Sequence, residues 1–172
     1  MALAEDLIDL LLLVLPALAA NGAPVVARRI YGRGTPLDMG RKWIDGRRIL
    51  GEGKTLEGFV TGVLTGFLVG VIEGVLYSNL YWFARAGLLA GIGAMTGDLV
   101  GSFIKRRLGI ERGKPAPLLD QLDFYVGALI ILYIGGYSYN LITAVALAPL
   151  IVILHITTNR LAYKASLKEV PH

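Results

Sequence analysis

The sequence predicts an all-α integral membrane protein with five transmembrane helices. Of its 172 residues, 55% are hydrophobic and 17% are charged, and the mean hydropathy of +0.61 is too high for a soluble domain of this size. A bilayer core of about 30 Å requires about 20 apolar residues per helix. Five segments approach that length, at about 5–27, 56–77, 86–105, 119–138 and 141–159. We therefore treat residues 1–172 as one transmembrane domain.

The distribution of basic residues predicts the orientation of the chain. Residues 28–54, residues 105–114 and the tail from Arg160 contain 16 of the 17 Lys and Arg residues. Because cytoplasmic loops of membrane proteins are enriched in these residues, we expect both long loops and the C-terminus in the cytoplasm and the N-terminus outside. This placement also explains the pI of about 9.4 without a nucleic-acid partner. Cysteine is absent, which excludes disulfides and thiolate metal sites.

The first segment contains a sequence resembling a signal-peptidase site, Ala17-Leu18-Ala19. A signal peptide begins with basic residues, however, and this segment begins with acidic ones, so we expect no cleavage. Gly22 and Pro24 predict that the helix ends near residues 21–24. Asn21 would then lie at the cytoplasmic membrane face, as a helix cap or as a polar contact to a ligand.

The loop after the first segment is long and rich in glycine and charge. It contains Asp38, Arg47 and the sequence Gly51-Glu-Gly-Lys54-Thr55. No GxxxxGK[ST] pattern is present, so this is not a P-loop. Flexible glycines before a lysine and a helix start can nevertheless bind an anion. The alternative is that the loop is only a basic membrane flank.

Glycine recurs every fourth residue along the second segment and often along the third. These residues are Gly58, Gly62, Gly66, Gly70 and Gly74, and then Gly87, Gly91, Gly93, Gly97 and Gly101. Such stripes let helix backbones approach closely, so we expect these two helices to pack tightly. The same surfaces would also permit homo-oligomers. Glu73, near the outer helix end, is expected to extend its carboxylate to water.

Charged residues at the cytoplasmic end of the third segment share one helix face. Asp98, Ser102 and Lys105 are spaced i, i+4 and i+7, and Arg106 lies beside them. A carboxylate in a membrane helix usually faces a cation, a cavity or a partner. The arrangement predicts a metal ligand below a phosphate-binding pair. The alternative is an internal ion pair that only neutralises Asp98.

The fourth segment begins with two acids one turn apart, Asp120 and Asp123. The apolar run that follows is short for a full span, which should draw this turn toward the membrane. With Asp98, the two carboxylates could hold Mg²⁺, which prefers a few carboxylates together with substrate phosphates. A favourable interaction with the helix dipole would explain one of these acids but not all three. His155, a single histidine, is left out of the site.

Residues 97–124 resemble the signature of the CTP-dependent phosphatidate cytidylyltransferases. The matching positions are Gly97-Asp98, Ser102, Lys105-Arg106, Gly109-Ile110, Pro117 and Leu119-Asp120-Gln121-Leu122-Asp123. Bacterial and eukaryotic members usually have Pro-Gly-His-Gly-Gly before the acids and an Arg between them, whereas this chain has Pro117-Leu118-Leu119 and Gln121. The chain is most similar to the archaeal branch of the family, which it also matches at Asn21, Pro24, Pro36, Asp38, Gly40, Asp45-Gly46, Arg47-Arg48 and 51–55.

The resemblance implies an enzyme that transfers a cytidylyl group from CTP to an archaeal lipid phosphate, an unsaturated digeranylgeranylglyceryl phosphate. Each candidate residue then has an expected role: Asp98, Asp120 and Asp123 as ligands of one or two Mg²⁺ ions, Lys54, Lys105 and Arg106 on phosphate charge, Ser102 and Thr55 as hydrogen-bond donors, and Asn21, Asp38 and Arg47 near nucleotide or headgroup. Two alternatives are a CTP-dependent polyprenol kinase, which would move the γ-phosphate, and, less favoured, a small transporter. No inverted repeat supports the transporter.

Overall fold

The computed structural model describes residues 2–167, which form five α-helices joined by loops. The helices are α1 (Ala2–Tyr31), α2 (Leu56–Leu76), α3 (Leu80–Arg107), α4 (Leu119–Ile134) and α5 (Leu141–Lys164). Within these residues no β-strand forms, and two isolated bridges occur in the first loop. The all-α prediction is confirmed.

Four of the helices, α1, α2, α3 and α5, are long and apolar enough to cross a membrane. Helix α4 has 16 residues, which at about 1.5 Å per residue is about 24 Å and shorter than the bilayer core of about 30 Å. It ends at Ile134, not at residue 138, because Gly135 caps it and Gly136 turns the chain with φ +85°. The structure supports an integral membrane protein with four candidate spans, and a crossing by α4 stays a prediction.

Helix α1 continues well past the point where the sequence predicted its end. It includes Pro16 and Pro24 and reaches Tyr31. Pro24 lies against the first turn of α2, where a Cβ built on Gly58 would be 3.2 Å from the Pro24 Cβ. Such tertiary packing can outweigh the helix hydrogen bond that a proline removes. The predicted end at residues 21–24 is therefore wrong, and half-buried Asn21 lies within α1, about 15 Å before its last residue.

Helices α2 and α3 pack through facing glycines, as the sequence predicted. A Cβ on Gly66 would lie 2.8 Å from the Gly91 Cα, and a Cβ on Gly70 would lie 2.8 Å from the Gly87 Cα. These separations leave no room for a side chain on either helix. The close approach holds the loop before α2 beside the middle of α3.

The remaining glycines of α3 face a different helix from the one predicted. A Cβ on Gly93 would lie 2.7 Å from the Ala128 Cα of α4, and a Cβ on Gly127 would lie 2.7 Å from the Gly97 Cα. Glycines 87 and 91 thus serve the contact with α2, whereas 93, 97 and 101 serve the contact with α4. Spacing alone did not separate the two sets, because both lie on one helix and differ only in the face they occupy.

The apolar core lies where α1, α3, α4 and α5 meet, and it includes the fully buried Val14, Phe124, Leu132 and Ile151. Glu73 is an exception to the apolar interior. Its side chain does not reach water as expected: the residue is 4% exposed, and neither carboxyl oxygen has a hydrogen-bond partner among the described residues.

Candidate active site

The first component of the site is an ion pair between the loop before α2 and the middle of α3. The Lys54 Nζ lies 2.6 Å from Asp98 Oδ1 and 2.5 Å from Oδ2. Lys54 directly precedes Thr55, the N-cap of α2, whose Oγ1 accepts a hydrogen bond from the Gly58 N–H at 3.2 Å. The cap sets the direction in which the chain enters α2, and the glycine contact between α2 and α3 brings Lys54 to Asp98.

A second ion pair joins the end of α3 to the start of α4. The Lys105 Nζ lies 2.6 Å from Asp120 Oδ1. The other oxygen of Asp120 accepts a hydrogen bond from the Ala116 N–H at 2.8 Å. Asp120 therefore closes the turn that precedes α4 while its carboxylate stays beside a cation.

Asp123 lies between these two pairs. A Cβ on Gly101 would be 2.9 Å from the Asp123 Cβ and Cγ, so the carboxyl group occupies the space that this glycine leaves on α3. Its Oδ1 accepts a hydrogen bond from the Phe124 N–H at 2.7 Å. Asp98, Lys54 and Lys105 are the charged groups that act on it electrostatically. The fold thus brings together three carboxylates and two ammonium groups from α3, α4 and the first loop.

The donor chemistry of this cluster fits Mg²⁺, although its arrangement is not that of a metal centre. All three acids offer carboxylate oxygens, which are the protein ligands that Mg²⁺ prefers. In the part of the chain that the structure describes, no three His, Cys, Asp or Glu side chains are grouped to hold a metal ion. Instead, lysine ammonium groups contact two of the three carboxylates. An ion pair at Asp98 was the alternative predicted from the sequence, but with a cation of α3 and not with Lys54.

Two other predicted residues lie beside the cluster. Ser102 is 3% exposed on α3. Arg106 is half-buried at the end of α3, with a guanidinium nitrogen 4.0 Å from the position of a Cβ on Gly51. The cationic end of α3 therefore faces the glycine-rich part of the first loop.

Asp38 organises the first loop. Its carboxylate accepts hydrogen bonds from the Arg48 guanidinium at 2.5 Å and from the N–H groups of Gly40, Leu50 and Gly51 at 3.0, 3.1 and 2.9 Å. Burial acts to raise the pKa of Asp38, but these hydrogen bonds outweigh it and lower the pKa well below its usual value. In this geometry Asp38 is fully engaged with the loop itself.

Arg47, a predicted nucleotide contact, binds the end of α3. Its Nη1 donates to the carbonyl oxygens of Arg106 and Arg107 at 3.3 and 2.9 Å. The Arg106 carbonyl also accepts from the Gly109 N–H at 3.2 Å. Arg47 adds a side-chain donor to these last carbonyls of the helix and so acts as a C-terminal cap. Asp38 thus holds the loop together internally, and Arg47 fixes the loop to α3.

Several residues around the Lys54–Asp98 pair were not predicted as site residues. A cavity of about 30 Å³ adjoins the pair, and its lining includes Pro24, Phe59, Met95 and Leu99. Apolar residues at helical spacing look the same in a sequence whether they line a functional cavity or pack in the core. His155, left out of the predicted site, stacks on Phe124 with 5.7 Å between ring centroids, next to Asp123.

Comparison with known proteins places this arrangement in a class and then in a family. A solved structure described as an intramembrane enzyme for archaeal membrane lipid biosynthesis matches with a TM-score of 0.81 and 45% identity, covering 89% of this chain and 94% of that one. The fold and the site therefore define a membrane-embedded enzyme of this structural class.

The CarS-like family, described as CDP-archaeol synthase, matches residues 3–172. The CDP-archaeol synthase of Hyperthermus butylicus is 49% identical over 95% of both chains, and that of Aeropyrum pernix is 46% identical over 97% of this chain and 93% of its own. The chain belongs to the CDP-archaeol synthase family.

Proposed function

We propose that this protein is a CTP-dependent cytidylyltransferase that converts an unsaturated archaeal lipid phosphate and CTP to CDP-archaeol and pyrophosphate. The family membership supports the activity. The observation that carries the proposal is the meeting of Asp98, Asp120 and Asp123 with Lys54 and Lys105, where the first loop lies against α3 and the start of α4. A cluster of both charges suits a substrate that combines a triphosphate with a divalent cation.

In the proposed reaction, an oxygen of the lipid phosphate forms a bond to the α-phosphorus of CTP. The bond from that phosphorus to the bridging oxygen of the β-phosphate breaks, and pyrophosphate leaves. The protein contributes positioning and charge neutralisation, as in other phosphoryl transfers. Lys54, Lys105 and Arg106 stabilise phosphate oxygens, and Ser102 and Thr55 donate hydrogen bonds to them.

The three aspartates would hold one or two Mg²⁺ ions, which supply charge neutralisation on the triphosphate. In the cluster, Lys54 and Lys105 already neutralise two of these acids. The same lysines are therefore within reach of a phosphate bound at the carboxylates. Asn21, Asp38 and Arg47 are proposed nearer the nucleotide or the headgroup, with Asp38 and Arg47 acting through the loop that they hold.

The cavity beside Lys54 is too small for a nucleotide, since about 30 Å³ is on the scale of one or two water molecules. A nucleotide bound at Lys54 would extend beyond this cavity, and we propose that the first loop moves away from α3 to admit CTP. The loop is held there by polar contacts of Arg47, Arg107 and Arg112 to partners 59 or 60 residues away in the chain. Such contacts can be exchanged for contacts with the phosphates.

The proposed topology has five spans, with α4 crossing as the short fourth one. The N-terminus lies outside, and the C-terminus and both long loops lie in the cytoplasm. The excess of Lys and Arg in these loops supports this orientation. CTP would then approach from the cytoplasm, while the lipid presents its phosphate from the bilayer.

Tracing the label of CTP tests the reaction. Purified protein receives CTP labelled at the α- or the γ-phosphate, MgCl₂ and an archaeal lipid phosphate. We expect α-label in the lipid fraction, γ-label in pyrophosphate, and loss of both products on adding EDTA. Transfer of γ-label to lipid with release of CDP would instead establish a kinase, and absence of any metal-dependent turnover would contradict an enzyme of either kind.

A further inference from the structure

Residues 41–48 of the first loop, here called the hairpin tip, form an ordered structure. The Trp43 N–H donates to the Arg47 carbonyl at 2.8 Å, and the Gly46 N–H donates to the Trp43 carbonyl at 2.9 Å. Lys42 and Arg48 form an isolated antiparallel bridge. The tip is therefore a short hairpin whose turn lies at residues 44–46.

Polar contacts fix the hairpin tip beside the last turn of α3. Arg47 donates to the carbonyls of Arg106 and Arg107, as described above. In return, the Arg107 guanidinium lies 3.2 Å from Asp45 Oδ1 and donates to the Arg48 carbonyl at 2.6 Å. These contacts join both sides of the turn to one helix end, so the position of the tip is set by α3.

The Trp43 ring shows the depth at which the hairpin tip lies. It contacts Phe103 edge to face, with 5.4 Å between ring centroids. Phe103 precedes Arg107 by one helical turn, about 6 Å toward the membrane interior. Helix α3 is one of the candidate spans, and its last three residues are basic. Trp43 thus lies just inside a charged helix end, which is the depth at which tryptophans of membrane proteins concentrate.

The surface of the hairpin tip combines exposed apolar and basic side chains. Ile44 is 94% exposed, and Trp43 is 45% exposed. Arg41 and Lys42 are also exposed, and they form no ion pair with the described residues. By contrast, Arg47 and Arg48 of the same hairpin are engaged by α3 and by Asp38. Two cations are therefore available immediately beside the two apolar residues.

We propose that the hairpin tip is an interfacial anchor that inserts Trp43 and Ile44 into the surface of the membrane that α3 spans. Arg41 and Lys42 contact anionic lipid phosphates there. The depth of Trp43 argues for lipid over a soluble partner, and the adjacent free cations complement an anionic membrane surface. The anchor lies on the loop that holds Lys54, so it links the first loop to the bilayer from which a lipid substrate would come.

Site-directed spin labelling tests the anchor directly, because the chain has no cysteine. Ile44→Cys provides one thiol at the tip, and Glu111→Cys provides a matched exposed thiol in the loop between α3 and α4. Each full-length variant is labelled and reconstituted into vesicles of phosphatidylcholine, with or without phosphatidylglycerol. The collision rate of the label with lipid-soluble oxygen and with a water-soluble nickel chelate is then measured.

We expect the label at position 44 to collide with the nickel chelate several-fold less often than the label at 111, and more often with oxygen. Added phosphatidylglycerol should increase this difference between positions 44 and 111. In a variant that also carries Arg41→Gln and Lys42→Gln, phosphatidylglycerol should no longer increase it. Equal nickel accessibility at positions 44 and 111 in both vesicle types would overturn the proposal. The vesicles contain no other protein. If the hairpin tip binds a protein partner and not lipid, the label at position 44 would stay in water, and its nickel accessibility would equal that at position 111.

Discussion

At the scale of single residues, the carboxylate of Asp123 is the group on which the proposed chemistry depends most. Asp123→Asn keeps the shape of the side chain but removes its charge from between the two lysine–aspartate pairs. We expect turnover to fall by about two orders of magnitude or more, the scale on which loss of one transition-state-stabilising group acts. The label-transfer assay measures this, with thermal unfolding as a check on folding.

Asp9→Asn is the matched control for this substitution, because Asp9 is an exposed acid near the start of α1. It should leave turnover unchanged. Normal turnover by Asp123→Asn would show that Asp123 is not a required metal ligand, and the assignment of all three aspartates would be wrong.

Gly101 is a second residue that controls the site, although it has no chemistry of its own. In Gly101→Ala the new Cβ would lie 2.9 Å from the Asp123 Cβ and Cγ, which forces the carboxyl group out of its place. We expect a large loss of turnover, although alanine favours a helix over glycine by about 1 kcal/mol. Gly22→Ala is the control, since its Cβ meets nothing within 4 Å. Equal turnover of the two variants would show that the position of Asp123 is not critical.

The lowered pKa of Asp38 predicts that the stability of the first loop depends on pH. Its folded-state pKa is lowered, so it stabilises the loop fully above the ordinary carboxyl pKa of about 3.9. That contribution is lost as pH falls toward the lowered pKa. At neutral pH, Asp38→Asn should weaken the loop by about 1–3 kcal/mol, because buried donors lose their charged acceptor.

Limited trypsin digestion at neutral pH measures how far Asp38→Asn weakens the loop. Trypsin cleaves after Arg47 and Arg48, which lie within the hairpin, and cleaves faster when the hairpin opens more often. We expect faster cleavage there in Asp38→Asn than in the parent or in Asp9→Asn, whose carboxylate is exposed on α1, away from the loop. Identical cleavage rates for Asp38→Asn and the parent would mean that Asp38 does not hold the loop.

At the scale of elements, the glycine contact between α2 and α3 determines where Lys54 lies. Gly70→Val would place its Cβ 2.8 Å from the Gly87 Cα and push the helices apart. Overpacking of this kind typically costs about 1–3 kcal/mol. We expect a lower temperature of thermal unfolding in detergent and reduced turnover.

Leu68→Val, at an exposed position of the same helix, introduces the same side chain without that contact. It should leave the unfolding temperature close to that of the parent. A Gly70→Val variant as stable as Leu68→Val would contradict the close packing of α2 on α3.

At the scale of the whole molecule, the proposed orientation predicts which connections face each side of the membrane. Asn79, between α2 and α3, and Glu111, between α3 and α4, are both exposed. Since α3 separates them, Asn79→Cys and Glu111→Cys should lie on opposite sides. A membrane-impermeant thiol reagent added outside intact cells should label position 79 and not 111. Labelling at 111 alone would reverse the topology, and labelling of both would place the two connections on one side.

Several features of the fold and the site could be predicted because they depend on neighbouring residues. Apolar length predicted five helices, and the glycine stripes predicted the contact of α2 with α3. The end of α1 could not be predicted in this way, because Pro24 is accommodated by its contact with Gly58 of α2. The burial of Glu73 was missed for a similar reason: its surroundings are set by packing between helices.

The sequence by itself determined the class of protein, the family resemblance and the acids and lysines that make up the candidate site. These follow from hydropathy, charge and motif spacing, which are properties of consecutive residues. Only the tertiary structure decided the partners. Along α3, Lys105 lies two turns from Asp98, about 10 Å away, whereas glycine packing brings Lys54 within 2.6 Å of Asp98 from 44 residues away. Lys105 instead pairs with Asp120. Helix packing over the whole chain determines which charges meet, and spacing within one helix does not.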